Sequence, residues 1–333
     1  MMRSLYSGIS GLRNHQTRMD VIGNNIANVN TTGYKTSRVI FQDIFSQTAA
    51  GGSASAPQFN IGGTNPMQIG LGIKLASVDV MHTPAPFART DNPFDMMIGG
   101  DGFFIVEGPD GYFYTRAGNF KLDDQGWLTT TDGFFVMGYS SNVRIVEEEI
   151  EEWDPDIPGF VGTGEFKNVV VPEFVDPAGN AVFGAGLSRI QLKAFEEAYA
   201  DDPGAWDWVT DGAPFSIDLL GFTVGQNGDV TILADNKKVT IAKIAVAMFA
   251  NPGGLEKAGR SLYRETNSSG AVNIGMPYQD GAGTVEGGGL EMSNVDLATE
   301  FTDMIVTQRG FQANSRVITV SDTMLEELVN LKR

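Results

Sequence analysis

Residues 5–26 read LYSGISGLRNHQTRMDVIGNNI, and residues 297–325 read LATEFTDMIVTQRGFQANSRVITVSDTML. In the first stretch Leu5, Leu12, Met19 and Ile26 recur every seven residues; in the second Leu297, Met304, Phe311, Ile318 and Leu325 do the same. A sustained heptad repeat gathers its apolar side chains into one narrow stripe that needs another helix to cover it. One such stripe at each end of the chain predicts that the two ends meet as a coiled coil. Everything between them is glycine-punctuated and rich in β-forming residues. The fold class is therefore α+β, with long terminal helices paired and mainly-β domains nested between them.

Working inward, the first helix is expected over about 3–29. It stops near Asn28-Val29-Asn30-Thr31-Thr32-Gly33, where Asn and Gly supply turn and C-cap chemistry. Gly8, Gly11 and Gly23 weaken it in isolation by up to about 1 kcal/mol each relative to Ala. The N-terminal helical segment so defined is 1–33. Residues 34–69, with the low-complexity run Ala49-Ala50-Gly51-Gly52-Ser53-Ala54-Ser55-Ala56-Pro57, are expected as a linker. Residues 70–143 form the first part of a β-domain. Its hairpins turn at Pro109-Asp110-Gly111, Asp124-Gln125-Gly126 and Asp132-Gly133. An acidic insertion, expected as an outer β-domain, covers 144–238. Residues 239–289 return to the first β-domain, and 290–333 carry the last helix. There Ser293 followed by Asp296 predicts a capping box.

Charge and composition narrow the chemistry. Net charge is −18, and residues 144–240 alone hold 19 acids against 6 bases. Such a surface repels phosphate, which argues against a nucleic-acid partner. Residues 1–40 carry five bases against one acid, and 291–333 carry seven acids against four bases, so the two ends have opposite signs. No stretch approaches the roughly 20 apolar residues of a membrane span, and the start of the chain lacks a signal-peptide pattern. Without cysteine there is no disulfide, thiolate metal site or cysteine nucleophile. With only His15 and His82, a histidine triad or zinc site has almost no raw material, and both are expected at the surface. Asp123-Asp124-Gln125-Gly126 lacks the spaced acids of a calcium loop, and Gly287-Gly288-Gly289 lacks the lysine and strand context of a phosphate loop. No catalytic, cofactor-binding or metal-binding residue is expected, and the chain is read as a structural protein, not an enzyme.

The run Asp20-Val21-Ile22-Gly23-Asn24-Asn25-Ile26-Ala27-Asn28-Val29-Asn30-Thr31-Thr32-Gly33-Tyr34-Lys35 resembles the N-terminal signature of bacterial flagellar rod and hook proteins. Leu290-Glu291-Met292-Ser293-Asn294-Val295-Asp296-Leu297, continuing to Gln308-Arg309-Gly310-Phe311-Gln312-Ala313-Asn314-Ser315-Arg316, resembles its C-terminal counterpart. Gly100-Asp101-Gly102-Phe103-Phe104 and Tyr114-Thr115-Arg116-Ala117-Gly118 are similar to the family's first β-domain. The family-motif residues are thus Asn24, Asn25, Asn28, Gly33, Gln308, Arg309 and Asn314.

This resemblance implies a subunit that polymerises with itself into a flagellar tube, its terminal helices inside and its acidic insertion outside. It also implies passage through the flagellar export apparatus without a cleaved leader, and no cofactor. Within the family, the acidic insertion leans toward the hook, a flexible extracellular universal joint. Its neighbours would be the distal rod, the hook cap and the hook–filament junction. The alternative is the distal rod itself. A different class, an adhesive or carbohydrate-active domain carried on a polymer, is the remaining reading of the insertion.

Overall fold

The computed structural model describes residues 2–54, 62–140, 143–153, 160–172, 187–190, 218–234, 237–279 and 281–331. These fall into two compact units. One comprises 1–30, 35–83 and 293–333; the other comprises 31–34 and 84–292.

The first unit is built on two helices, α1 (Met2–Ala27) and α2 (Leu297–Asn330). They run antiparallel, because Ser4 lies beside Ser321, Arg18 beside Asp303 and Asn25 beside Glu300. At about 1.5 Å per residue, α2 is roughly 50 Å long. Its N-cap is Asp296, not Ser293. The Asp296 carboxylate accepts from the Thr299 hydroxyl at 2.6 Å and from Ala298 N–H at 3.0 Å, and these bonds hold it below the usual carboxylate range. Residues 293–295 are kept out of the helix by the side chain of Asn294. It accepts from Thr36 N–H and donates to the Met81 carbonyl and the Thr83 hydroxyl.

The stretch read as a linker carries strands. Ser37–Asp43 pairs antiparallel with Ile73–Val80, with a bulge at Ile40/Phe41, and Ser46–Ala50 pairs with Met67–Gly70. The hairpins are legible only once both arms are seen, since each arm alone is short and the intervening sequence is low in hydrophobicity. Residues 55–61 lie outside the described residues. Asn14 donates to the Ile73 carbonyl at 2.8 Å and so ties α1 to the second strand.

The second unit is built on an antiparallel sheet, with separate two-stranded pairs beside it. Its main path runs Asp218–Val224, Asp229–Ala234, Lys237–Ile244, Phe135–Ser140, Phe103–Gly108, Gly111–Thr115, Leu262–Arg264 and Glu256–Gly259. The strand Phe103–Gly108 is covered on both faces, as period-two alternation requires. Phe104 and Val106 face one core with Phe120, Val136 and Ile244. Phe103 and Ile105 face the other with Tyr114, Phe249 and Tyr263. The turns sit where the sequence places them. Gly108 pairs with Gly111 across Pro109-Asp110, and Gly126 and Gly133 close their turns with positive φ.

In the insertion, Val143–Trp153 pairs with Phe160–Pro172, so the run Glu147–Glu152 lies on a strand. The segments 173–186 and 191–217, with Trp206 and Trp208, lie outside the described residues. Among the described residues no helix is long and apolar enough to cross a membrane.

Candidate assembly interface

The seam between α1 and α2 is made mostly of small and polar residues, with Ile318, one of the expected stripe residues, as a large apolar member over Gly8. On α1 it is Ser4, Gly8, Gly11, His15, Arg18 and Asn25; on α2 it is Glu300, Thr307, Gly310, Asn314, Ile318 and Ser321. Glu300, Thr307, Asn314 and Ser321 are themselves a heptad, one that an apolar search overlooks. The glycines explain the close approach. A Cβ on Gly11 would lie 2.6 Å from Asn314 Nδ2, and one on Gly310 would lie 2.8 Å from His15 Cε1. Glycines that weaken an isolated helix therefore let this pair dock.

His15, expected at the surface, is half-buried in this seam, edge-on to Phe41 at 6.0 Å. Its Nδ1 is buried without a hydrogen-bond partner. Burial, and then the positive charge of Arg18, lower its pKa below the ordinary 6.5. The folded unit thus holds the imidazole neutral, while the unfolded chain protonates near 6.5. The stability that follows from this is fully present above that value and is lost as pH falls below it. Thermal melts should therefore show the first unit weakening between about pH 7 and pH 5, with His15→Gln flattening the dependence. Equal pH slopes in the two proteins would contradict this.

The expected stripe residues take two different places. Leu5, Leu12, Met19 and Ile26 are half-buried, one position along from the α1 seam. Met304, Ile318 and Leu325 are half-buried on α2, and Leu297 and Phe311 are exposed. A further apolar row, missed in the sequence, runs along α2 at helical spacing: Val306, Ala313, Val317, Val320, Met324, Leu328 and Leu331, all exposed.

The asparagines are structural. Asn25 is buried, accepts from Ser37 N–H, and donates to the Ser37 carbonyl and to Glu300. Desolvation raises the Glu300 pKa, and the Asn25 bond partly offsets this. Asn28 donates back to Asn24, closing the end of α1. Gln308 and Arg309 point outward from α2, Arg309 reaching only Gln312 at 3.2 Å among the contacts seen.

In the second unit, three motif segments far apart in sequence converge. Arg116 is 2% exposed and Glu291 1%, with 3.5 Å between Nη1 and Oε2. Arg116 also donates to the Ile98 and Gly100 carbonyls and lies 5.3 Å from the Phe103 ring centre. Glu291 Oε1 accepts from Ala85 N–H. Gly33, at φ +66, donates its N–H to the Glu291 carbonyl at 2.8 Å, and its missing Cβ would lie 2.6 Å from Ala117 N. The segment 31–34 is thereby fastened to the second unit, while 30 and 35 belong to the first.

Family descriptions match at these same places. They are the flagella basal body rod protein over residues 5–35, the flagellar hook protein FlgE/F/G D1 domain over 97–242, and the flagellar basal body rod FlgEFG protein C-terminal over 286–331. Flagellar basal-body rod protein FlgG of Bacillus subtilis (strain 168) is 42% identical over 335 residues, covering 100% of both chains. Flagellar hook protein FlgE of Borreliella burgdorferi is 35% identical over 445, and that of Treponema pallidum 32% over 467, again with 100% of both chains covered.

The chain belongs to the flagellar rod and hook protein family. The terminal matches span both helices together with Gly33 and Glu291, and Arg116 lies within the central one. In this rod and hook protein, then, the signature residues Asn24, Asn25, Asn28 and Gly33 hold the chain in place. The row on α2 from Val306 to Leu331 stays exposed.

Proposed function

We propose that this chain is a self-assembling structural subunit of the flagellar rod, of the FlgG type, and not the hook subunit that its acidic insertion first suggested. Self-assembly rests on one observation: the exposed apolar row of α2 from Val306 to Leu331. Covering side chains of this size contributes on the order of 1 kcal/mol each when they start half-exposed. A contact repeated around a non-closing rotation yields an open helical polymer. The terminal helices form the assembling layer, and nothing in the role requires catalysis.

Length supports rod over hook. The alignment with the rod protein runs over 335 positions, nearly this chain's own 333, whereas those with the hook proteins need 445 and 467. The insertion is thus of rod-protein size. The subunit would work within the basal body, beside further copies of itself, and reach its place through the flagellar export route.

Electron microscopy of the purified chain tests this. Straight tubes are expected, and curved ones would return the reading to the hook. Val320→Asp with Met324→Asp should abolish tubes and leave the monomer's circular dichroism unchanged. Tubes formed equally well by this double variant would remove the α2 row from the assembly.

A further inference from the structure

Beside α1, on a face that the seam does not use, a groove of about 430 Å3 opens between that helix and the strand Ile73–Val80. Its walls are apolar (Tyr6, Ile9, Leu71 and Ile73), and Arg13 and Lys74 stand among them. Tyr6 is 66% exposed there and Ile9 40%. At the far end of the same unit α2 outruns its partner. Ser321 lies beside Ser4, so about two turns of α2 extend past Met2, the first described residue of α1. This overhang exposes Met324, Leu328, Val329 and Leu331 and carries Asp322, Glu326 and Glu327 without a base among residues 322–331. Lys332 and Arg333 follow it, outside the described residues.

The two surfaces are complementary, apolar to apolar and basic to acidic. They cannot meet within one chain. Leu297–Asn330 is one uninterrupted helix, and Ile9 lies level with the region near residue 316. That is about 12 residues, or about 18 Å, along α2 from Leu328. The occupant is therefore another copy.

We propose that the overhanging end of α2 from one copy seats in the α1 groove of the next. Leu328 and Leu331 lie on the apolar wall, and Glu327, on the flank of that helical face, meets Arg13 and Lys74. This rests on the self-assembly reading and names the contact that links successive subunits. A helix end received by a groove elsewhere on the neighbour is a head-to-tail contact, which propagates and does not close into a dimer. Opposite charges at the rim fix its register.

The absence of cysteine makes a direct test clean. Chains carrying Ile9→Cys are mixed with chains carrying Leu328→Cys, assembled, and mildly oxidised. A disulfide needs Cα atoms within about 7 Å, so no single chain bearing both changes could close it internally. Disulfide-linked heterodimers are expected in the sedimented polymer and not in the supernatant. If Ile9→Cys impairs folding by circular dichroism, Tyr6→Cys takes its place.

A second arm reverses charges. Arg13→Glu with Lys74→Glu should lose sedimentable polymer, as should Glu327→Lys. The two variant chains mixed, or all three changes in one chain, should recover it. Polymers without the cross-link, or charge reversals that assemble like the unmodified chain, overturn the groove contact and leave self-assembly standing. An unmodified chain that forms no polymer overturns both.

Discussion

Glu291→Ala should cost the protein about 3–5 kcal/mol, the loss typical of removing one partner from a buried ion pair. Arg116 would stay where it is, because its guanidinium lies over the Phe103 ring and its Nη atoms bond the Ile98 and Gly100 carbonyls. Burial already pulls its pKa down, and Glu291 is the main group opposing that shift. Without the carboxylate the cation is left with two carbonyl dipoles and the charge of Asp101, and its Nε is already without a hydrogen-bond partner. Ala85 N–H also loses its acceptor. Glu291→Gln keeps the shape and an acceptor and should cost less, about 1–3 kcal/mol. Urea unfolding at constant m reads both values. A loss below about 1 kcal/mol in Glu291→Ala would mean that the carbonyls alone satisfy Arg116.

Gly33→Val should be comparably severe, at about 3 kcal/mol or more. Two costs coincide. A β-branched residue at φ +66 is strained, by about 1–2 kcal/mol on handedness grounds alone. The added Cβ also meets backbone, Ala117 N at 2.6 Å and Arg116 C at 2.7 Å, where no flexible side-chain end can yield. Asn tolerates the left-handed region better than other side chains, so Gly33→Asn separates the two costs. It should recover part of the backbone strain and none of the clash. Because 31–34 is pinned by the Gly33 N–H to Glu291 bond, either change should also loosen Tyr34, whose ring lies under Lys257 Nζ at 5.0 Å. Hydrogen exchange of the Gly33 amide measures that loosening. Unchanged protection in Gly33→Val would show that the segment shifts without releasing its bond.

These two predictions turn on residues that the sequence displays but does not connect. Gly33, Arg116 and Glu291 each stand in a family signature, yet Arg116 and Glu291 are 175 residues apart. Nothing in spacing or periodicity relates them. Their meeting depends on the packing of the second unit, which sets the residue after Gly111–Thr115 of the main sheet beside Gly289–Glu291, a strand of a separate pair with Phe87–Arg89.

What the sequence determined by itself was local. Seven-residue periodicity specifies helices at both ends, because each side chain's face follows from its position in the turn. Gly111, Gly126 and Gly133 mark turns because only glycine adopts their φ freely. Aromatic alternation around Phe103-Phe104 specifies a strand covered on two sides. The tertiary structure decided which helical face was used for what. Hydrophobic pattern finds apolar stripes but cannot tell an internal seam from a surface kept for a neighbouring copy. Here the internal seam is drawn to the glycines, since close backbone approach brings more atoms into contact than larger side chains would allow. That choice half-buried His15, made a row of Glu300, Thr307, Asn314 and Ser321 into the seam of α2, and left the valine- and leucine-rich row of the same helix facing outward.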